Sequence, residues 1–367
     1  MSVAAAVAAR LPTLAFSEVH PLLASLTPLQ LLEVATVSPD CCDKVSGLLT
    51  KLDMEESKRR GTKEFLEAQE TLQKLSFADR FRLSQTTPQL TGPISDSFQY
   101  AATQLLSEFG LRFQHIQLLH VAVGTCISGS AVTALVHCGP SFHPNDIDFY
   151  APVGRGEVTV RFLDISSNYR VLRQSPMYNA AVAVSRVWWL EHCVTRKPLN
   201  VMECRTSSTF DTITSFHSTA VMNAWTAEGL WIAYPDLTTQ SQTLATPYSM
   251  RGLRPSREEQ RRFGRVVSKY FERGFRFHLL RNPAPHVCGQ HFNCPVTLRT
   301  TDDAGCWVAT FPSSWMTPHI TLTCAPYVTR WTLHGPGCQE SERENGVAVV
   351  NQSLKSDLIC CEYIQTM

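Results

Sequence analysis

The chain predicts an α+β fold: a small N-terminal helical segment, a central domain built on a mixed sheet, and a C-terminal helix followed by a small β-rich unit. Three observations carry this. Leucines and valines recur at helical spacing through residues 11–38, the pattern of short packed helices. Between residues 118 and 204, apolar runs of strand length alternate with glycine, proline and threonine turns. Beyond residue 250, Phe263, Val266, Val267 and Tyr270 form one apolar stripe inside an arginine-rich stretch, which predicts an amphipathic helix.

The chain has 367 residues, enough for two or three domains with a sizeable core. Its boundaries are read as 1–50, 51–97, 98–245 and 246–367. Lys and Arg together number 33 against 32 for Asp and Glu. The formal charge of +1 therefore gives no global electrostatic signature of nucleic-acid or anionic-membrane binding. No apolar run has the length of a bilayer span, and the opening Ala/Val stretch lacks a basic leading region, so neither a membrane segment nor a secretory signal is expected. The 13 cysteines are odd in number and scattered, which argues against a disulfide framework and for a reducing cytoplasmic or nuclear setting.

In the N-terminal segment, Leu22, Leu23 and Leu26 close one apolar stripe. Thr27 can cap a second helix with Pro28 at its first position, and Leu29, Leu32, Val34 and Val37 continue it. Residues 54–82 are charged and helical in character, with Glu55, Glu56, Lys58, Arg59 and Arg60 as a solvated run. Residues 86–95 have the proline, glycine and threonine content of a linker. A helix is expected after Asp96, with Phe98, Ala101, Leu105, Phe109 and Phe113 on one side, leading into an apolar strand over 118–127.

The central chemistry lies in two stretches. Residues 124–135 place Gly129-Ser130 as a turn between an apolar run and a short helix, and Asp146 and Asp148 then flank Ile147 at the start of the next apolar run. On a strand, residues i and i+2 share a face, so both carboxylates converge, as a hard divalent cation requires. A Gly-Ser turn at a helix start offers amide N–H groups, a hydroxyl and the positive end of the dipole to an anion. The plainer alternative is that the two aspartates cap a surface turn after Pro144-Asn145. Two strands follow, over 181–190 and 198–204, joined by the polar Thr195-Arg196-Lys197, and read as a hairpin. A helix is expected over 209–227, where His217, Ser218 and Asn223 could line the cleft, although a lone histidine on a mostly apolar helix is more often a core residue.

The pairing of Gly129-Ser130 with Asp146-x-Asp148 resembles the nucleotidyltransferase fold of polymerase β-like enzymes. Fifteen residues separate Ser130 from Asp146, slightly more than that signature usually has, and the Gly139-Pro140 loop accommodates the excess. The resemblance implies a third carboxylate on a later neighbouring strand, for which Glu203 is the acidic residue within 200–204; an ordinary half-exposed strand residue is the other reading of Glu203. It further implies Mg²⁺ held by Asp146, Asp148 and Glu203, and a nucleoside triphosphate on Gly129 and Ser130. Leu11-Pro12, the leucines of 22–32 and Val37-Ser38 resemble an F-box, except that Pro21 interrupts the first helix. That likeness implies a ubiquitin-ligase core protein as partner through residues 11–49; a helical cap on whatever follows is the other reading of this segment. With His217, Ser218, Asn223 and the Tyr234-Pro235 stretch added, residues 10–250 resemble a group of fungal proteins joining an F-box-type N-terminus to a nucleotidyltransferase-like domain.

The function expected is Mg²⁺-dependent transfer of a nucleoside monophosphate to a hydroxyl acceptor. The alternative is a non-catalytic F-box-type adaptor that uses a degenerate transferase fold to recognise its target. A third reading is RNA binding through Arg251, Arg254, Arg257, Arg261, Arg262, Arg265, Lys269, Arg273 and Arg276. His286, Cys288, Cys294 and Cys306 are of zinc-ligating types, but Cys288 to Cys294 is wider than the usual close pair, so no structural zinc is expected there. A small β-rich unit is expected over 297–323 and 327–333.

Overall fold

Capping residues set the N-terminal helices. In the computed structural model, which describes residues 3–14, 16–60, 62–137, 142–175, 183–245, 257–279, 286–311 and 328–333, helix α1 (Val3–Arg10) is followed by a 3-10 turn and α2 (Phe16–Ala24), which continues through Pro21. Helix α3 (Pro28–Ala35) opens on the expected cap: the Thr27 hydroxyl accepts the Gln30 amide, and the Gln30 side chain accepts the Thr27 amide at 2.9 Å. Helix α4 (Pro39–Arg60) follows; the side chains of the charged run at 55–60 lie outside the described residues. Thr62 and Ser76 cap α5 (Lys63–Gln73) and α6 (Phe77–Thr86).

The presumed linker at 86–95 is a 3-10 turn (Pro88–Leu90) running into α7 (Thr91–Glu108). Pro93 lies in the first turn of α7, where its missing N–H has no helical partner to lose. Residues 118–127 do not form a strand: most belong to α8 (Phe113–Val123), ended by Gly124 in the left-handed region at φ 77°. An unbroken apolar run fits a helix buried on most sides as well as a buried strand, and Ile116, Leu118, Leu119 and His120 are all buried.

The central region runs β1 (Cys126–Ser128), α9 (Ser130–Val136), β2 (Ile147–Ala151), α10 (Gly156–Ser167), β3 (Tyr169–Gln174), β4 (Val184–His192) and β5 (Pro198–Cys204). The β4–β5 hairpin is as expected, turning at Arg196 with φ 59°. The helix expected over 209–227 is instead a short α11 (Thr209–Ile213), a 3-10 turn and β6 (Asn223–Trp225). Thr214 and Ser215 turn their hydroxyls to the Phe210 and Thr212 carbonyls there, and threonine and serine favour such local bonding over continued helix. Then come β7 (Gly229–Ile232), α12 (Pro235–Thr239), β8 (Gln242–Ala245), α13 (Arg257–Glu272), β9 (Arg276–Leu279), β10 (Arg299–Thr300), β11 (Trp307–Thr310) and β12 (Arg330–Trp331).

Eight strands form one sheet in the order β11-β7-β6-β1-β2-β5-β4-β3, with β2 and β5 parallel and the other neighbours antiparallel. The C-terminal β-rich expectation is thus half corrected: β10 and β12 pair with each other, whereas β11 is an edge strand of the main sheet. One hydrophobic core joins Leu11, Leu23 and Leu32 of the N-terminal segment to Leu119, Phe149, Phe162, Val201 and Trp225 around the sheet, and extends to Phe311. The expected boundaries at 50 and 97 therefore do not separate cores. Helix α3 packs on α1, α4, α8 and α10, so the N-terminal helices are a layer over the sheet's helices.

Candidate functional site

Antiparallel pairing of β1 with β2 puts Ser128 opposite Asp148. The next residue, Gly129, adopts φ 73°, and a Cβ placed on it would stand 2.9 Å from the Asp148 Oδ2. Glycine is required twice over here: the backbone conformation disfavours L side chains, and the carboxylate occupies the space a side chain would need. Helix α9 starts immediately afterwards at Ser130, which is buried. The Gly-Ser turn and the aspartate pair, sixteen positions apart in sequence, thus meet at one place.

The third member of the site is Asn200 rather than Glu203. Parallel pairing sets Asp148 beside Asn200 and Ala151 beside Glu203. Asn200 donates through Nδ2 to Asp146 Oδ2 at 3.1 Å and to Asp148 Oδ1 at 2.8 Å. Glu203 is of opposite parity and points to the other face of the sheet. Its Oε2 accepts the Gly156 amide at 2.9 Å, capping α10, and its Oε1 accepts the Ser185 hydroxyl at 3.2 Å. The Asp146–Asp148–Glu203 triad expected as catalytic carboxylates and metal ligands is therefore not assembled. Only strand register distinguishes position 200 from 203, and no local pattern encodes it.

Helix α13 supplies the charge balance. Burial, and then the neighbouring Asp146, raise the Asp148 carboxyl well above the usual carboxylate range, to about 7; the Asn200 hydrogen bond and the positive Lys269 act in the opposite direction. Tyr270 lies in the field of both aspartates, and burial holds its hydroxyl protonated well beyond the usual range. The Arg273 guanidinium sits 4.2 Å from the Phe142 ring centre and 5.1 Å from that of Tyr270. His217, in a loop rather than on a helix, stands with its ring centre 6.2 Å from Tyr270, and burial and Lys269 depress its pKa to about 4. Asn223 lies on β6 beside β1, where its carbonyl accepts the Ser128 hydroxyl. Nothing in the sequence pattern pairs Lys269 with the aspartates, since they meet only through tertiary packing.

The donor set suits a hard divalent cation: two adjacent carboxylates and an amide whose oxygen would face them after a half-turn of the Asn200 side chain. Burial and the neighbouring carboxylate, which together keep a proton on Asp148 near neutrality, are also what a bound cation would offset. Lys269 and the Gly129-Ser130 turn add complementarity to an anion bound with that cation.

Elsewhere, α13 carries its Val267 and Tyr270 stripe into a core with Phe275 and Phe277, while Arg257, Arg261 and Arg265 are exposed. The arginine-rich stretch is thus an amphipathic packing helix; Arg251 and Arg254 lie outside the described residues. The F-box reading calls for exposed leucines, but Leu23, Leu31 and Leu32 are buried and Leu22, Leu26 and Leu29 half-buried. His286, Cys288 and Cys294 come together. Cys306 does not join them, because it lies against Arg299, whose Nη2 is 3.3 Å from its Sγ. Among the described residues no helix is long and apolar enough to cross a membrane. Compared with known proteins, the chain matches no protein-family model, no curated protein and no solved structure.

Proposed function

We propose that this is a nucleotidyltransferase-like protein whose site at Gly129, Ser130, Asp146 and Asp148 binds a nucleoside triphosphate with Mg²⁺. The observation that carries this reading is the seating of the Asp148 carboxylate directly over Gly129, with Asn200 bridging it to Asp146. Asp146 and Asp148 would hold the metal, which would neutralise phosphate charge and orient the α-phosphorus for attack by a hydroxyl. The amides of Gly129 and Ser130 would bind the outer phosphates, and Lys269 would oppose their charge. Asn200 stands where a third carboxylate would complete a two-metal site; it is neutral and cannot accept the acceptor's proton. Transfer to a hydroxyl acceptor is therefore expected to be slow relative to binding.

A second reading, a non-catalytic adaptor with a degenerate transferase fold, is favoured by that same asparagine. It is disfavoured by Leu23, Leu31 and Leu32 of α2 and α3, which are buried in the protein's own core. Incubation with labelled nucleoside triphosphates and Mg²⁺, alongside D146A and D148A, tests the proposal. Metal-dependent binding lost in both variants supports it, and transfer gained in Asn200→Asp would identify the missing carboxylate. No metal-dependent binding in the intact protein would remove it, and capture of a ubiquitin-ligase core protein through residues 11–49 would then favour the adaptor.

A further inference from the structure

Among the described residues outside the aspartate site, one cluster of soft donor atoms is brought together by the backbone. Successive turns fold residues 286–297: Gln290 N–H donates to the Val287 carbonyl, Cys294 N–H to that of His291, and Thr297 N–H to that of Cys294. Gly289 takes φ 78°, the conformation that lets the chain reverse between Cys288 and Cys294. The result sets His286 Nε2 3.9 Å from Cys288 Sγ and Cys288 Sγ 3.9 Å from Cys294 Sγ, with the three donor atoms all within 4.8 Å of one another.

We propose that His286, Cys288 and Cys294 supply three ligands of one bound zinc ion, with water completing the tetrahedron. The sulfur separation is far beyond the ~2.05 Å of a disulfide. It fits the edge of a tetrahedron around zinc, because Zn–S bonds of ~2.3 Å place two sulfurs about 3.8 Å apart, and a Zn–N bond of ~2.1 Å places nitrogen and sulfur about 3.6 Å apart. The Gly289 amide donates to Cys294 Sγ at 3.4 Å, the kind of outer contact that stabilises a metal-bound thiolate. Cys294 is 1% exposed, so two of the three donors are sulfur and one of these is shielded from water, which selects a borderline-soft ion over Mg²⁺. The wide Cys288–Cys294 spacing, which weighs against zinc when only close pairs are considered, is bridged by the turns between them.

The loop so closed is tied to the main sheet by a buried arginine. Arg299, 0% exposed, donates from Nη1 to the Phe292 carbonyl inside the loop and from Nη2 to the Ala233 carbonyl just beyond β7, both at 2.9 Å. Its remaining charge is met by Asp303 at 2.7 Å. Zinc would thus brace against the main sheet a loop whose Val287 and Phe292 stay exposed.

The test is metal analysis of the full chain, prepared without a polyhistidine tag, after zinc supplementation and desalting. About one zinc per chain is expected, replaceable by cobalt with the thiolate charge-transfer and visible bands of a tetrahedral site. Cys288→Ser and Cys294→Ser should each lose the metal, whereas Cys193→Ser, at an exposed cysteine outside the cluster, should keep it. Should the serine variants fail to fold, a mercurial thiol reagent added to the intact protein should release the zinc stoichiometrically. Less than about a tenth of an equivalent in the supplemented wild type, full retention in Cys288→Ser, or zinc that stays bound after its thiols have reacted would overturn the assignment.

Discussion

Gly129 shows how much a single position carries in this molecule. Its positive φ and the Asp148 oxygen 2.9 Å from where a Cβ would stand predict that Gly129→Ala costs about 1–3 kcal/mol and displaces the Asp148 carboxylate. Urea unfolding with and without Mg²⁺ checks this; the variant should be less stable and should lose the Mg²⁺-dependent increment. The aspartate pair was legible from sequence because i and i+2 share a face of one strand, a local rule. Asn200 was not, because its place beside Asp148 depends on the pairing of β2 with β5, some fifty residues apart. Acidity drew attention to Glu203, but its parity sends it to the α10 side of the sheet, where it caps the helix at Gly156.

At the scale of elements, the capped start of α3 and the β4–β5 hairpin were readable, whereas the apolar run at 118–127 was not. Thr27 and Pro28 announce α3 by chemistry confined to one turn, which Gln30 completes by accepting the Thr27 amide. The run at 118–127 could be read as strand because burial on several sides erases the periodicity that separates the two structures, and the Pro/Gly-rich 86–95 stretch hides a helix start. Helix α3 also decides whether the N-terminal segment is an independent module. Leu32 is fully buried in the shared core, so Leu32→Ala should lower stability by about 2–5 kcal/mol. All seven tryptophans lie at residue 188 or beyond. Thermal unfolding followed by tryptophan fluorescence should therefore shift down together with the far-UV signal. A shift confined to the far-UV signal would mean that the N-terminal helices fold as a separate unit.

For the whole molecule, buried histidines set the response to acid. Burial lowers His115 to about 4 and His120 to about 3, and burial with Lys269 lowers His217 to about 4. The unfolded chain takes up protons at these sites near pH 6.5 that the folded chain refuses, so stability falls as pH drops from about 6.5 toward 4. Asp148 acts in the opposite sense: folded, it keeps its proton to about 7, so its contribution falls as pH rises between about 4 and 7. Three groups outweigh one, and urea midpoints should be higher at pH 7 than at pH 5. The same carboxylate must be ionised to hold a metal, so Mg²⁺ binding should strengthen as pH rises through about 7.

The most direct measurement is equilibrium binding of a labelled nucleoside triphosphate at pH 8, with and without Mg²⁺, to the wild type and to Asp148→Asn. Saturable binding that needs Mg²⁺, and that weakens by about tenfold or more in the variant, is the expected result. Binding that is absent from the wild type, indifferent to Mg²⁺ or unchanged in Asp148→Asn would contradict the assignment of the Gly129-Ser130 turn and the Asp146–Asp148 pair as one nucleotide site.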